Sequence, residues 1–212
     1  MGSDDLIKVV AFGDSITEGT YGGATETRVW TSILQRKFQE SNFHIEIINA
    51  GIPGETAPQG YRRFLYHVLA KNPDIVLMMY GANDSYDPFG TGNPAVSVPR
   101  FTDALEAMIS GATEKHITPV LMTTTPLFLL DELSSNQNAL LDSYMGKVRD
   151  LAEKHRLPLI DHFLVWMEKE RIGENMVQYL PDGVHPNAEG NRIIAETILQ
   201  PLTGIVQEVI NT

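Results

Sequence analysis

The chain has no cysteine, few positive charges and no long apolar run. Each absence removes a class of protein. Without cysteine there can be no disulfide framework, no thiolate metal site and no thiol nucleophile. Lys and Arg number 16 against 27 Asp and Glu, a formal charge of −11, and no basic block occurs. That balance argues against a nucleic-acid partner, whose affinity comes from clustered cations, and against an anionic membrane surface. The longest apolar runs are strand-sized, short of the ~20 residues of a membrane span, so no stable membrane insertion is expected. The opening "MGSDDLIKVV" has neither a positive n-region nor a long apolar stretch. The expectation is therefore no signal peptide and a cytoplasmic location. No internal repeat, low-complexity tract or linker interrupts the 212 residues. They suit a single domain, 1–212, with a substantial core, and no pattern in them assigns an oligomeric state.

What is present is a regular alternation. Short apolar runs occur at Ile7–Gly13, Ile45–Gly51, Asp74–Gly81, Thr118–Thr125 and Leu157–Phe163. They are continuous rather than alternating, as in "IVLMMY" at 75–80, which is the pattern of strands covered on both faces. Between them lie helix-spaced stripes: Trp30, Ile33, Leu34 and Phe38; Ala104, Leu105, Met108, Ile109 and Ala112; Leu140, Leu141, Tyr144, Val148, Leu151 and Ala152. A last helix is expected from about Pro186, carrying Ile193, Ile194, Thr197 and Ile198, with Pro201 ending or kinking it. The pattern predicts an α/β fold, a doubly wound five-stranded parallel sheet with helices on both sides. Two long connections, 85–99 and 125–135, follow strand carboxyl ends, where open α/β sheets bind their ligands.

Chemistry-bearing residues gather at those same ends. The first strand runs into Gly13-Asp14-Ser15, the second into Asn49-Ala50-Gly51 and the third into Gly81-Ala82-Asn83-Asp84. Asp182 and His185 stand three residues apart ahead of the last helix. Acyl transfer needs a nucleophile, a base, a group that orients the base, and donors for the oxyanion. Ser15 can attack, His185 can take its proton, and Asp182 can hold the imidazole. The backbone N–H groups of Ser15 and Gly51 and the Asn83 side-chain amide can serve as donors. At Gly51 the missing Cβ is read as room for substrate. No cofactor or metal is needed for this chemistry, and none is expected.

These segments resemble the blocks of the SGNH (GDSL-type) hydrolases, a family of esterases, lipases and acylhydrolases. "FGDSITEG" is similar to the first block, "NAGIPGET" to the second, "GAND" to the third and "DGVHP" to the last. The resemblance spans nearly the whole chain; Ile16 replaces the leucine of the name-giving motif. It implies a three-layer αβα, flavodoxin-like fold and a serine ester hydrolase; the few apolar groups of 85–99 and the short Leu127–Leu130 patch add the expectation of small or short-chain esters. It also implies Ser15, Asp182 and His185 as catalytic residues, with Ser15, Gly51 and Asn83 forming the oxyanion hole.

Other readings of the same residues compete. Ser15 and Asp14 alone could form a turn, and Asn49 and Asp84 read better as turn braces than as substrate contacts. His162, beside Asp161, is the rival base, though neighbours on a strand point to opposite faces. His116 and His155 read as helix-end histidines interacting with the dipole. Asp182 and His185 could ligate a metal with Asp14 or Asp161, but no compact His-x-x-x-His spacing supports it. The Phe128-Leu129-Leu130 cluster reads as packing rather than as an acyl pocket. A flavodoxin-like flavin or nucleotide binder is opposed by Asp14 and Glu18 in the 13–23 loop, which would repel phosphate. A catalytically silent carbohydrate-binding module is the remaining alternative.

Overall fold

Strands apolar on both faces must lie between two helical layers. The computed structural model describes residues 6–87, 90–128 and 133–211, with the backbone alone at 133–135. The elements run β1 (Ile7–Gly13), α1 (Ser15–Glu18), α2 (Trp30–Glu40), β2 (Ile45–Gly51), α3 (Ala57–His67), β3 (Ile75–Met79), α4 (Val98–Glu114), β4 (Thr118–Thr123), α5 (Leu133–His155), β5 (Leu159–Asp161), α6 (His162–Arg171) and α7 (Ala188–Ile210). All strand pairings are parallel, in the order β2-β1-β3-β4-β5. This is the flavodoxin-like order, which switches direction between β1 and β3.

The period of two along β1 divides the core. Val9 and Ala11 pack with Trp30 and Leu34 of α2 and Ile194, Ile198 and Leu202 of α7. Val10 and Phe12 face the other way, toward Phe64 of α3, Phe101 and Leu105 of α4 and Leu141 and Tyr144 of α5. The three-layer αβα architecture is as expected.

The structure differs from the sequence reading at particular elements. β3, β4 and β5 are shorter than the apolar runs that mark them. At β5 the reason is Asp161, whose carboxylate accepts the Leu164 N–H (3.1 Å) and caps α6, so His162 and Phe163 are helical. α3 and α6 carry solvent-exposed Tyr61, Leu65, Tyr66 and Leu164, which blur the apolar stripe that would reveal a helix. α7 begins at Ala188, because the Asn187 side chain accepts the N–H groups of Glu189 and Gly190 (both 3.0 Å). Pro201 does not end it: the helix continues to Ile210, with Leu202, Ile205 and Val206 buried. By length and composition α7 could cross a membrane, yet its apolar face is core here.

Candidate active site

The β1 strand delivers Ser15 to the carboxyl edge at the switch point. Gly13 makes the exit possible, since a Cβ there would lie 2.2 Å from Thr17 Oγ1 and 2.5 Å from the Met79 carbonyl oxygen. Asp14 then caps α1 by accepting the Ile16 N–H (2.9 Å), and Ser15 becomes the first residue of that short helix, 7% exposed.

Across the cleft, Gly183 adopts φ 79° and lets the chain fold back on Asp182. One carboxylate oxygen of Asp182 accepts the N–H groups of Val184 (2.9 Å) and His185 (2.7 Å); the other meets His185 Nδ1 at 2.6 Å. His185 Nε2 lies 2.9 Å from Ser15 Oγ. Burial acts to raise the pKa of Asp182, but the two N–H groups and the ring beside it hold its carboxyl below the usual range. The structure thus brings Ser15, His185 and Asp182 into one hydrogen-bonded chain, although the first and last lie far apart in sequence. Asn191 ties the two segments together, its Nδ2 donating to the Gly19 (2.9 Å) and Pro186 (3.0 Å) carbonyls and its Oδ1 accepting the Trp30 N–H (2.9 Å).

Gly51 and Asn83 flank Ser15 from the neighbouring strands, but both donors are engaged. Asn83 Nδ2 donates to Asp14 Oδ2 (3.2 Å) and to the Glu55 carbonyl (3.1 Å). The Gly51 N–H donates to Asn49 Oδ1 (3.0 Å). The reason for glycine at 51 is also different from the one expected. A Cβ there would fall 2.3 Å from the Glu18 nitrogen and 2.8 Å from the Asp14 carbonyl, so the missing side chain makes room for α1, not for substrate. Asn49 is the brace it was read as, with Nδ2 on the Thr17 carbonyl (2.9 Å) and Thr31 Oγ1 (3.1 Å).

Beneath these loops lies a polar cluster that sequence reasoning missed. Arg63 Nε donates to Glu55 Oε1 (2.7 Å), Arg63 Nη2 to the Ala50 carbonyl (2.8 Å), and the Tyr80 hydroxyl to Glu55 Oε2 (2.6 Å). Arg63 sits on α3, the helix that the sequence did not reveal. Asp84 accepts the Ala57 N–H (2.9 Å) at the start of α3 and fits the turn-brace reading. Asp14 is raised to about 6 and Asp84 to about 7, in each case chiefly by burial.

The rival base is not built as one. His162 is fully buried, neither ring nitrogen has a hydrogen-bond partner among the described residues, and burial pushes it down to about 4. Its neighbour Asp161 is committed to Arg149 Nε (2.7 Å) and Thr123 Oγ1 (2.8 Å). His155 meets Glu106 (3.1 Å), a side-chain partner in addition to its helix-end position, and His116 has φ 59° just beyond α4. Among the described residues, no three or more His, Asp or Glu side chains are grouped to hold a metal ion. Leu127 is buried in the core on the Val10 and Phe12 face of the sheet and Phe128 packs against the core on the other face, while Leu129 and Leu130 lie outside the described residues.

Residues 11–193 match the sequence model of the GDSL-like Lipase/Acylhydrolase family. A Bacillus subtilis (strain 168) protein named uncharacterized lipoprotein YqeF is 30% identical, over 90% of this chain and 87% of its own length. An arylesterase from Vibrio mimicus is 28% identical, over 92% and 88%. Among solved structures, the acetyl xylan esterase AlAXEase superposes with a TM-score of 0.77 at 27% identity, covering 91% of this chain and 98% of that one.

Proposed function

Since the chain belongs to the GDSL-like lipase/acylhydrolase family, we propose that it hydrolyses small carboxylic esters through an acyl-enzyme on Ser15. Carboxylic ester hydrolysis and a small-molecule ester substrate come with the family. The assignment of roles rests on one observation, the continuous chain Ser15 Oγ–His185–Asp182 at 2.9 and 2.6 Å. His185 Nε2 takes the Ser15 proton as Oγ attacks the ester carbon, and Asp182 stabilises the imidazolium. The proton then passes to the leaving alcohol as its C–O bond breaks. A water, deprotonated in turn by His185, then attacks the acyl carbon, and the acid leaves as the bond to Ser15 Oγ breaks and His185 returns the proton to that oxygen. The carbonyl oxygen draws on the Ser15 N–H. It also replaces Asn49 Oδ1 on the Gly51 N–H and the Glu55 carbonyl on Asn83, so the hole opens as substrate enters.

The whole chain acts as one catalytic domain, without a nucleic-acid partner. A net charge of −11 disfavours adhesion to an anionic bilayer, and we place the protein in the cytoplasm; the name of the Bacillus relative makes recovery in the membrane fraction the contrary result.

Short acyl groups are the preferred substrates. Long chains need an apolar trench, yet Leu127 and Val96, from the two connections best placed to build one, are buried in the core. On p-nitrophenyl esters from acetate to palmitate, kcat/KM should peak at roughly two to six acyl carbons, the reach of a small pocket. A peak at about ten carbons or beyond would overturn the short-chain assignment, and no hydrolysis of any ester would overturn the function.

A further inference from the structure

The mechanism leaves an aromatic ring at the site unused. Tyr21 lies in the turn after α1, with its ring centroid 5.3 Å from that of His185 and the planes inclined by 40°. It is 59% exposed. The turn that carries it is fixed on both sides. Glu18 accepts the Thr20 N–H (2.9 Å) and hydroxyl (2.8 Å), and the Gly23 N–H closes on the Thr20 carbonyl (2.9 Å). Gly22 lies directly against the catalytic loop, where a Cβ would come within 2.3 Å of the Pro186 carbonyl oxygen and 2.5 Å of that of His185. The backbone is thus pressed onto the histidine segment while the ring is left open to solvent.

The chemistry says which half of the ester meets that ring. His185 must pass its proton to the leaving oxygen, so the alcohol sits on the histidine side of Ser15, and the acyl oxygen sits toward Gly51 and Asn83. We propose that Tyr21 is the stacking platform of the alcohol subsite, and that this subsite takes alcohols with a ring face, aromatic or sugar. The proposal rests on the acyl-enzyme reading above. A tyrosine face packs against flat C–H or π surfaces, and a platform already held in place loses little entropy on binding.

The two half-reactions separate this role from a purely positional one. The alcohol has left before deacylation, whereas His185 serves both steps. Acylation and deacylation would be followed by stopped flow on phenyl acetate and on a mono-acetylated pyranoside, with ethyl acetate as the ringless control, for wild type, Tyr21→Phe and Tyr21→Ala. Tyr21→Ala should slow acylation by the ring-bearing esters roughly 3- to 10-fold, the worth of one stacking contact. Deacylation, and acylation by ethyl acetate, should stay within about twofold of wild type on the same grounds. Tyr21→Phe should behave as wild type. A response to only one of the two ring-bearing esters would assign the subsite to that ring. Equal losses in both half-reactions, or equal losses for ringed and ringless esters, would overturn the proposal. A Ser15→Ala protein with an undiminished acylation burst would instead overturn the underlying acyl-enzyme reading, and the platform with it.

Discussion

Asn83 shows how much a single side chain is asked to do. Its amide nitrogen bridges the Asp14 carboxylate and the Glu55 carbonyl, so it is held at the site and has only to exchange the Glu55 carbonyl for the substrate oxygen. A neutral donor fixed in this way matters most when negative charge develops on the substrate oxygen. Asn83→Ala should therefore lower kcat by about 10²–10³, with little change in KM. Asn83→Asp should be at least as damaging, placing a carboxylate against both Asp14 and the oxyanion. Steady-state kinetics on a short ester decides it: a raised KM at constant kcat would show Asn83 to be a ground-state binder. The identity of this residue was legible in "GAND", but its hydrogen bond to Glu55 was not. That bond depends on a backbone carbonyl from another strand's loop, which no spacing encodes. Gly51 is the converse: its residue type is legible in the sequence, but the neighbour it accommodates is α1, which only folding brings there.

At the scale of elements, the loops after β1, β2 and β3 are held together by buried carboxyl groups. Asp84 anchors the start of α3 and is raised to about 7, mainly because burial disfavours its charged form, with Asp14 nearby adding repulsion. A carboxyl raised in the folded state keeps a proton that the unfolded chain has lost. Stability should therefore fall as pH rises through the window from about 4 to about 7, and the cost should be fully present above it. Asp84→Asn keeps an oxygen for the Ala57 N–H and removes the ionisation. In urea unfolding at pH 8 it should be more stable than wild type by on the order of 2–4 kcal/mol, with the difference shrinking toward pH 4. A variant less stable than wild type at pH 8 would show that the charge itself holds the α3 terminus. Elements with clean apolar stripes, such as α2 and α4, could be read directly. α3 and α6 could not, because exposed Tyr66 and Leu164 interrupt the stripe and because Asp161 converts the end of an apolar run into a helix cap.

The whole molecule accounts for why residues 15, 83 and 182–185 can meet at all. A parallel sheet in the order β2-β1-β3-β4-β5 sends the loops after its strands to one edge, and the switch at β1/β3 opens the cleft into which α7's leading loop delivers Asp182 and His185. That convergence is legible in the five apolar runs and the polar residues that follow them. The closure of the chain at 2.9 Å between Ser15 and His185 was not, since it depends on Asn191 and Gly22 joining segments remote in sequence. Peptide mass spectrometry after reaction with a fluorophosphonate tests directly whether Ser15 is the activated nucleophile of this assembled site. Wild type should carry one adduct, on the peptide containing Ser15, and Ser15→Ala should carry none, because a serine without a paired base does not react. An unlabelled wild type, or an adduct that persists on another residue in Ser15→Ala, would contradict the account.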